Sequence, residues 1–180
     1  MRLLDSHLLK YSLFYFFIGL FASTLQLFII CSNFPEEFFK ISLISGFITS
    51  SITSIVIFSL QLFCIEVIPK LFVIKESECL RDGLESLFLF LLIYEVVRIV
   101  LIFIILKNDV NDIDFKEIGD YVKNVKMLNY FTYLKFLQIT SILFGSIVLY
   151  AKTYNLGNSK KDSLQTSILL FFFLSLISLL

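Results

Sequence analysis

Residues Ile41–Cys64 read ISLISGFITSSITSIVIFSLQLFC, an unbroken stretch with no charged residue and no proline. About 20 predominantly apolar residues in helical conformation suffice to cross the hydrocarbon core of a bilayer. The polar groups in this stretch are hydroxyls and one amide, which a lipid-buried helix tolerates. The segment therefore reads as a transmembrane helix. Within lipid every backbone polar group must be satisfied inside the structure, so a chain that crosses by one such helix belongs to an all-α class.

Outward from this span the same pattern recurs. Tyr11–Cys31 is free of charge, and Leu87–Leu106 is interrupted only by Glu95 and Arg98. Phe136–Ala151 is short, but it extends back to residue 132 through LNYFTYLK if Lys135 snorkels along its aliphatic stem to the headgroups. Leu164–Leu180 supplies a fifth run. The sequence thus predicts a polytopic transmembrane helix bundle of five spans, near 11–31, 41–64, 87–106, 132–151 and 164–180, in one integral membrane domain covering 1–180. The first span follows Arg2 and Lys10 as a signal peptide would, yet its apolar run is too long and no A-x-A-like site follows, so it is expected to be retained.

Composition agrees. Of 180 residues, 58% are hydrophobic and 22 are Phe, whereas soluble domains lie nearer 45–50% apolar. Fifteen basic and fifteen acidic residues cancel, leaving no global field to attract nucleic acid or an acidic substrate. The partners expected are the lipid bilayer and a membrane-protein partner or second copy. Counting Lys and Arg in the connections gives eight on the side of the N-terminus and six on the other, which places the N-terminus in the cytoplasm and suits a bacterial inner membrane.

Several chemistries lack their residues. His7 is the single histidine, so bis-histidine haem, di-iron and His-based zinc sites cannot be assembled within one copy. Cys31, Cys64 and Cys79 are odd in number and have no CxxC spacing. There is no Gly-rich phosphate loop, HExxH or Gly-x-Ser-x-Gly elbow. No catalytic residue, cofactor or metal site is expected.

The connection between the third and fourth spans has its own pattern. In DFKEIGDYVKNVKML, Asp114 and Glu117 resemble an N-cap and its capping-box acid. Phe115, Ile118, Tyr121, Val122, Val125 and Leu128 follow at helical spacing. This predicts an amphipathic helix, lying on the membrane surface or docked on the bundle. Pro35 marks the first turn, and Pro69 limits or kinks the second helix.

Two constellations inside the spans stand out. Ser42, Gly46, Ser50 and Ser54 recur every four residues, a small-residue face that lets two helices approach and lets hydroxyls bond across, with a serine-lined substrate path as the alternative. Gly19/Ser23 and Ser141/Gly145 repeat the spacing once each. The second constellation is ionic. Glu95 and Arg98 lie three apart in LLIYEVVRIVLIF (Leu91–Phe103), and Glu66 and Lys70 lie four apart at the end of the second span. A lone charge at the bilayer centre costs on the order of 2.5–3.5 kcal/mol, so pairing is expected. With helices two and three adjacent, the four residues would form one intramembrane cluster fixing those helices, or else a proton or ion relay.

The layout resembles the Yip1-type membrane proteins, particularly their compact bacterial members. The resemblance is carried by Leu128–Asn129–Tyr130–Phe131–Thr132 before the fourth span, Gly145 in SILFGSIVLYAK, and the Lys160–Lys161 linker before the last helix. It implies a five-helix, non-enzymatic protein with a cytoplasmic N-terminus. The family's tryptophan at the fourth helix has no counterpart, and only about ten residues precede the first span, so the GTPase binding of eukaryotic relatives is not implied. The functional expectation is a membrane scaffold or interaction subunit. A small transporter or channel component using the Glu/Arg cluster is the alternative, and a membrane-embedded lipid enzyme ranks behind both.

Overall fold

A computed structural model describes residues 6–72, 78–111, 123–125, 128–155 and 159–178. Helix α1 spans Ser6–Cys31 and α2 spans Glu36–Leu71. Helix α3, Glu78–Leu101, passes through a π-helical turn, Ile102–Leu106, into α4, Lys107–Asn111. Helices α5, Asn129–Asn155, and α6, Lys160–Ser178, complete the described elements. Five of these segments are long and apolar enough to cross a membrane, with α3 and α4 counted as one.

Each span found in the sequence is present, and all five helices begin before their apolar run. Helix α2 has 36 residues, about 54 Å at 1.5 Å per residue, against a hydrocarbon core of about 30 Å. The apolar run measures the lipid; the helix continues past it because its own backbone bonds do not stop at the headgroups. Pro35 opens α2 by accepting from the amides of Phe38 and Phe39, and Glu36 and Glu37 occupy the first turn, where the helix dipole favours acids. Pro69 sits in the last turn, and the helix ends two residues later. Ser159 heads α6, its hydroxyl accepting from the Asp162 amide at 3.1 Å and donating to the Asp162 carboxylate at 2.6 Å.

The helices are arranged in a ring. Helix α1 packs on α2 and α3, α3 on α5, α5 on α6, and α6 returns to α2. An odd ring of up-and-down helices cannot alternate throughout, so one neighbouring pair must run parallel. That pair is α1 and α3: Gly19 lies against Glu95, Ser23 against Arg98, and the Asn33 side chain donates to the Val110 carbonyl at 2.9 Å. By contrast α3 and α5 are antiparallel. A Cβ on Gly83 would meet Leu149, one on Gly145 would meet Leu87, and each approach comes within 3.4 Å of backbone. Lys152 closes the far end of this pair, donating to the Asp82 carbonyl and Ser86 hydroxyl at 3.0 Å.

Two apolar clusters divide the bundle along its length. The first, at the end bearing the start of α1, draws on all five spans, with Leu8, Ile65, Ile68, Leu84, Phe88, Ile142, Leu149, Leu170 and Leu174 buried. The second, at the opposite end, joins α1, the α3–α4 helix and α5 through Ala22, Tyr94, Ile102, Leu106, Val110, Tyr130 and Leu134, and no described residue of α2 or α6 belongs to it. The π turn serves this cluster. By widening the helix locally it keeps Ile102, Leu106 and Val110, each four apart, on one buried face. The outer faces carry Phe14, Phe17, Phe21 and Phe28 on α1, each at least half exposed, a surface suited to lipid.

Most of the amphipathic helix expected after Asp114 lies outside the described residues. Lys123–Val125 is described, as helix, and Val125 is buried in the second cluster. At that point the stripe docks on the bundle.

Candidate functional site

The charges inside the third span meet helix α1. Arg98 donates to Glu95 Oε2 at 3.2 Å through Nη1, and through Nη2 to Ser23 Oγ at 3.0 Å and Gln26 Oε1 at 2.9 Å. Tyr130 of α5 donates to the same Gln26 oxygen at 3.4 Å. The Glu95 and Arg98 side chains are 5% and 15% exposed. The i, i+3 spacing brings carboxylate and guanidinium together on one face, and the forked guanidinium then reaches a second helix, which a lysine cannot do with the same geometry. Gly19 makes the room: a Cβ there would lie 3.3 Å from the Glu95 carboxyl carbon. The site thus stitches the one parallel helix pair.

This differs from the single cluster expected between helices two and three. Glu66 and Lys70 do pair, at 3.1 Å, but on the far end of α2 with both side chains more than a third exposed. Their bond joins neither Glu95 nor Arg98. The physical reason is the ring order, in which α1 stands between α2 and α3, so succession in the chain does not make these two helices neighbours. An exposed pair of this kind contributes little to stability.

Beside the Arg98 junction lies a cavity of about 630 Å³ lined by residues of five helices. Helix α1 presents Tyr15, Phe16, Gly19, Ser23 and Gln26; α2 presents Gly46, Thr49, Ser50, Thr53, Ser54, Phe58 and Gln61. Tyr94, Glu95 and Arg98 come from α3, Phe131, Lys135 and Gln138 from α5, and Ser178 from α6. Its existence follows from the two clusters. Where all five spans pack together the centre is filled; where α2 takes no part in the core, a gap remains between it and the α1–α3–α5 slab. The exposed lining residues Thr49 and Thr53 on α2 and Lys135 on α5 mark where the gap opens.

The cavity lining has two parts. Lys135, Gln138, the Glu95–Arg98 pair and the hydroxyls of Ser50, Thr53 and Ser54 line one part, and Tyr15, Phe16 and Phe58 line the part that adjoins the first apolar cluster. Gln61 belongs to this second part, 1% exposed, its amide nitrogen 3.4 Å from the Tyr15 hydroxyl and its Oε1 buried without a hydrogen-bond partner among the described residues. Beyond it Ile65, Ile68 and Leu91 belong to the first apolar cluster.

The small-residue face of α2 divides between the two roles considered for it. Gly46 is a packing position, where a Cβ would meet the Leu27 methyls of α1 at 2.7 and 2.9 Å. Ser50 and Ser54 line the cavity, and Ser42 is half-buried away from it. Ser45, Thr49 and Ser59 donate to carbonyls of their own helix at 3.3, 2.9 and 2.8 Å, so these hydroxyls form no bridge to a neighbour. Gln26, Gln61 and Gln138 carried no signal as isolated amides. Their common direction appears only when α1, α2 and α5 surround one space.

Comparison with known proteins finds no matching family model, no similar curated protein and no similar solved structure.

Proposed function

We propose that this chain is a small transporter or channel component, with its ligand site in the cavity between α2 and the α1–α3–α5 slab. The observation that carries the reading is a cavity of about 630 Å³ among the candidate membrane spans, with exposed lining residues at Thr49, Thr53 and Lys135 and packed apolar residues beyond Gln61. A polar lining in that position has a cost that pure scaffolding does not require, and ionisable residues inside a membrane mark functional pathways by default. Pockets of roughly 300–1,000 Å³ are the usual size for small-molecule sites. On this reading Arg98 and Glu95 act as structural lining: they hold α1 and α3 together and present a neutral pair to the cavity, whereas Ser50 and Ser54 face the ligand. The expectation of a scaffold or interaction subunit accounts for the Arg98 junction but leaves the cavity unexplained.

Thiol labelling in reconstituted vesicles tests the proposal. With the native cysteines replaced, Ser54→Cys should react with a charged, membrane-impermeant methanethiosulfonate from the face bearing the end of α1, while Val56→Cys on the outer surface and Leu84→Cys in the sealed core should not. Protection of Ser54→Cys from both faces would overturn it.

A further inference from the structure

We propose that the cavity takes an amphipathic monoanion, a carboxylate or phosphate group on an apolar body, seated with its charge toward Lys135 and its body on the rings of Phe16 and Phe58. This rests on the reading of the cavity as a ligand site. Three observations point to the ligand's chemistry. First, Glu95 and Arg98 neutralise each other at 3.2 Å, so the charge left among the lining residues is the Lys135 ammonium, which favours an anion over a cation. Second, the lining passes from Lys135, Gln138 and the Glu95–Arg98 pair to the packed rings of Phe16 and Phe58, so a uniformly polar solute would leave one end against aromatic rings. Third, the exposed lining residues Thr49, Thr53 and Lys135 belong to α2 and α5, both of whose outer faces are apolar, so the ligand passes beside a lipid-facing surface on its way in. Lys135 lies in the second turn of α5 and is exposed, and its aliphatic stem suits an apolar surface.

The charge can be carried by a free organic acid or by a phospholipid headgroup, and both present the same anionic group to Lys135. Native mass spectrometry of the full chain in neutral detergent separates them, using decanoate, decanol and decylamine as matched chains, and phosphatidylglycerol against phosphatidylcholine. Retention of decanoate over decanol and decylamine assigns a free acid, and retention of phosphatidylglycerol over phosphatidylcholine without decanoate assigns a lipid. Either result supports the proposal when Lys135→Gln lowers retention about tenfold, Lys135→Arg preserves it, and modification of Ser54→Cys by a bulky thiol reagent abolishes it. Equal or stronger retention of decylamine, or no effect of Lys135→Gln, overturns the anion assignment. If Ser54→Cys is still labelled from one face in that case, the cavity remains a ligand site and only the ligand class is wrong. No retained compound together with an unlabelled Ser54→Cys overturns both.

Discussion

Replacing Arg98 by Met removes the guanidinium while keeping most of the stem, and the structure sets the size of the loss. Two hydrogen bonds to α1 disappear, those to Ser23 at 3.0 Å and Gln26 at 2.9 Å. Inside a membrane each contributes about 0.6 kcal/mol, so their sum is near 1 kcal/mol. The larger effect is electrostatic. Glu95 is 4% exposed, and without its partner it becomes an uncompensated buried charge, a change that costs on the order of 3–5 kcal/mol. Glu95→Gln alone strands the arginine in the same way. The double variant Glu95→Gln/Arg98→Met strands neither, so it should lose only the hydrogen-bond part and recover most of the stability. Unfolding in mixed micelles followed by circular dichroism, run as a double-mutant cycle, measures the coupling directly. A double variant as damaged as Arg98→Met, or an Arg98→Met loss no larger than that of Ser23→Ala, would refute the mutual compensation.

Close helix approach gives further outcomes. Gly145→Ala places a Cβ 3.1 Å from the Leu87 Cα, so backbone must move, and a loss of about 1–3 kcal/mol is expected in the same unfolding assay. Gly46→Ala meets only the Leu27 side chain and no backbone, so it should fall well below that. Gly19→Val would push the Glu95 carboxylate away from Arg98, so thermal denaturation in detergent should show a loss comparable to Arg98→Met. Lys152→Met removes the ties to Asp82 and Ser86 and should cost about 1 kcal/mol, read in the same way.

The number and identity of the spans were legible in the sequence because lipid imposes a length and a hydropathy that local composition reports directly. Helix ends were less so. Residues such as Glu36, Lys107 and Lys152 belong to helices that continue beyond the hydrocarbon, where apolar content no longer marks them. The pairing of Glu95 with Arg98 and of Glu66 with Lys70 followed from spacing alone, since i, i+3 and i, i+4 neighbours meet on any helix. Which second helix Arg98 would reach did not follow, because ring order depends on packing across the whole bundle. The role of Ser50 and Ser54 depends on the same order. A small-residue face promises close approach, but whether a helix or a cavity lies opposite is settled by where the other four spans stand.

The cavity and the Arg98 junction both depend on the parallel alignment of α1 and α3, without which the ring does not close and Arg98 has no partners on α1. Cross-linking in membranes measures it. Asn33 lies at the end of α1, bonded to the Val110 carbonyl beside Asn111, whereas Cys79 lies at the opposite end of α3. With Cys31 and Cys64 replaced, Asn33→Cys should be joined by a short thiol cross-linker to Asn111→Cys in a chain lacking Cys79, and should not be joined to Cys79 in a chain retaining Asn111. Cross-linking of Asn33→Cys to Cys79 with none to Asn111→Cys would contradict the parallel pair and the ring built on it.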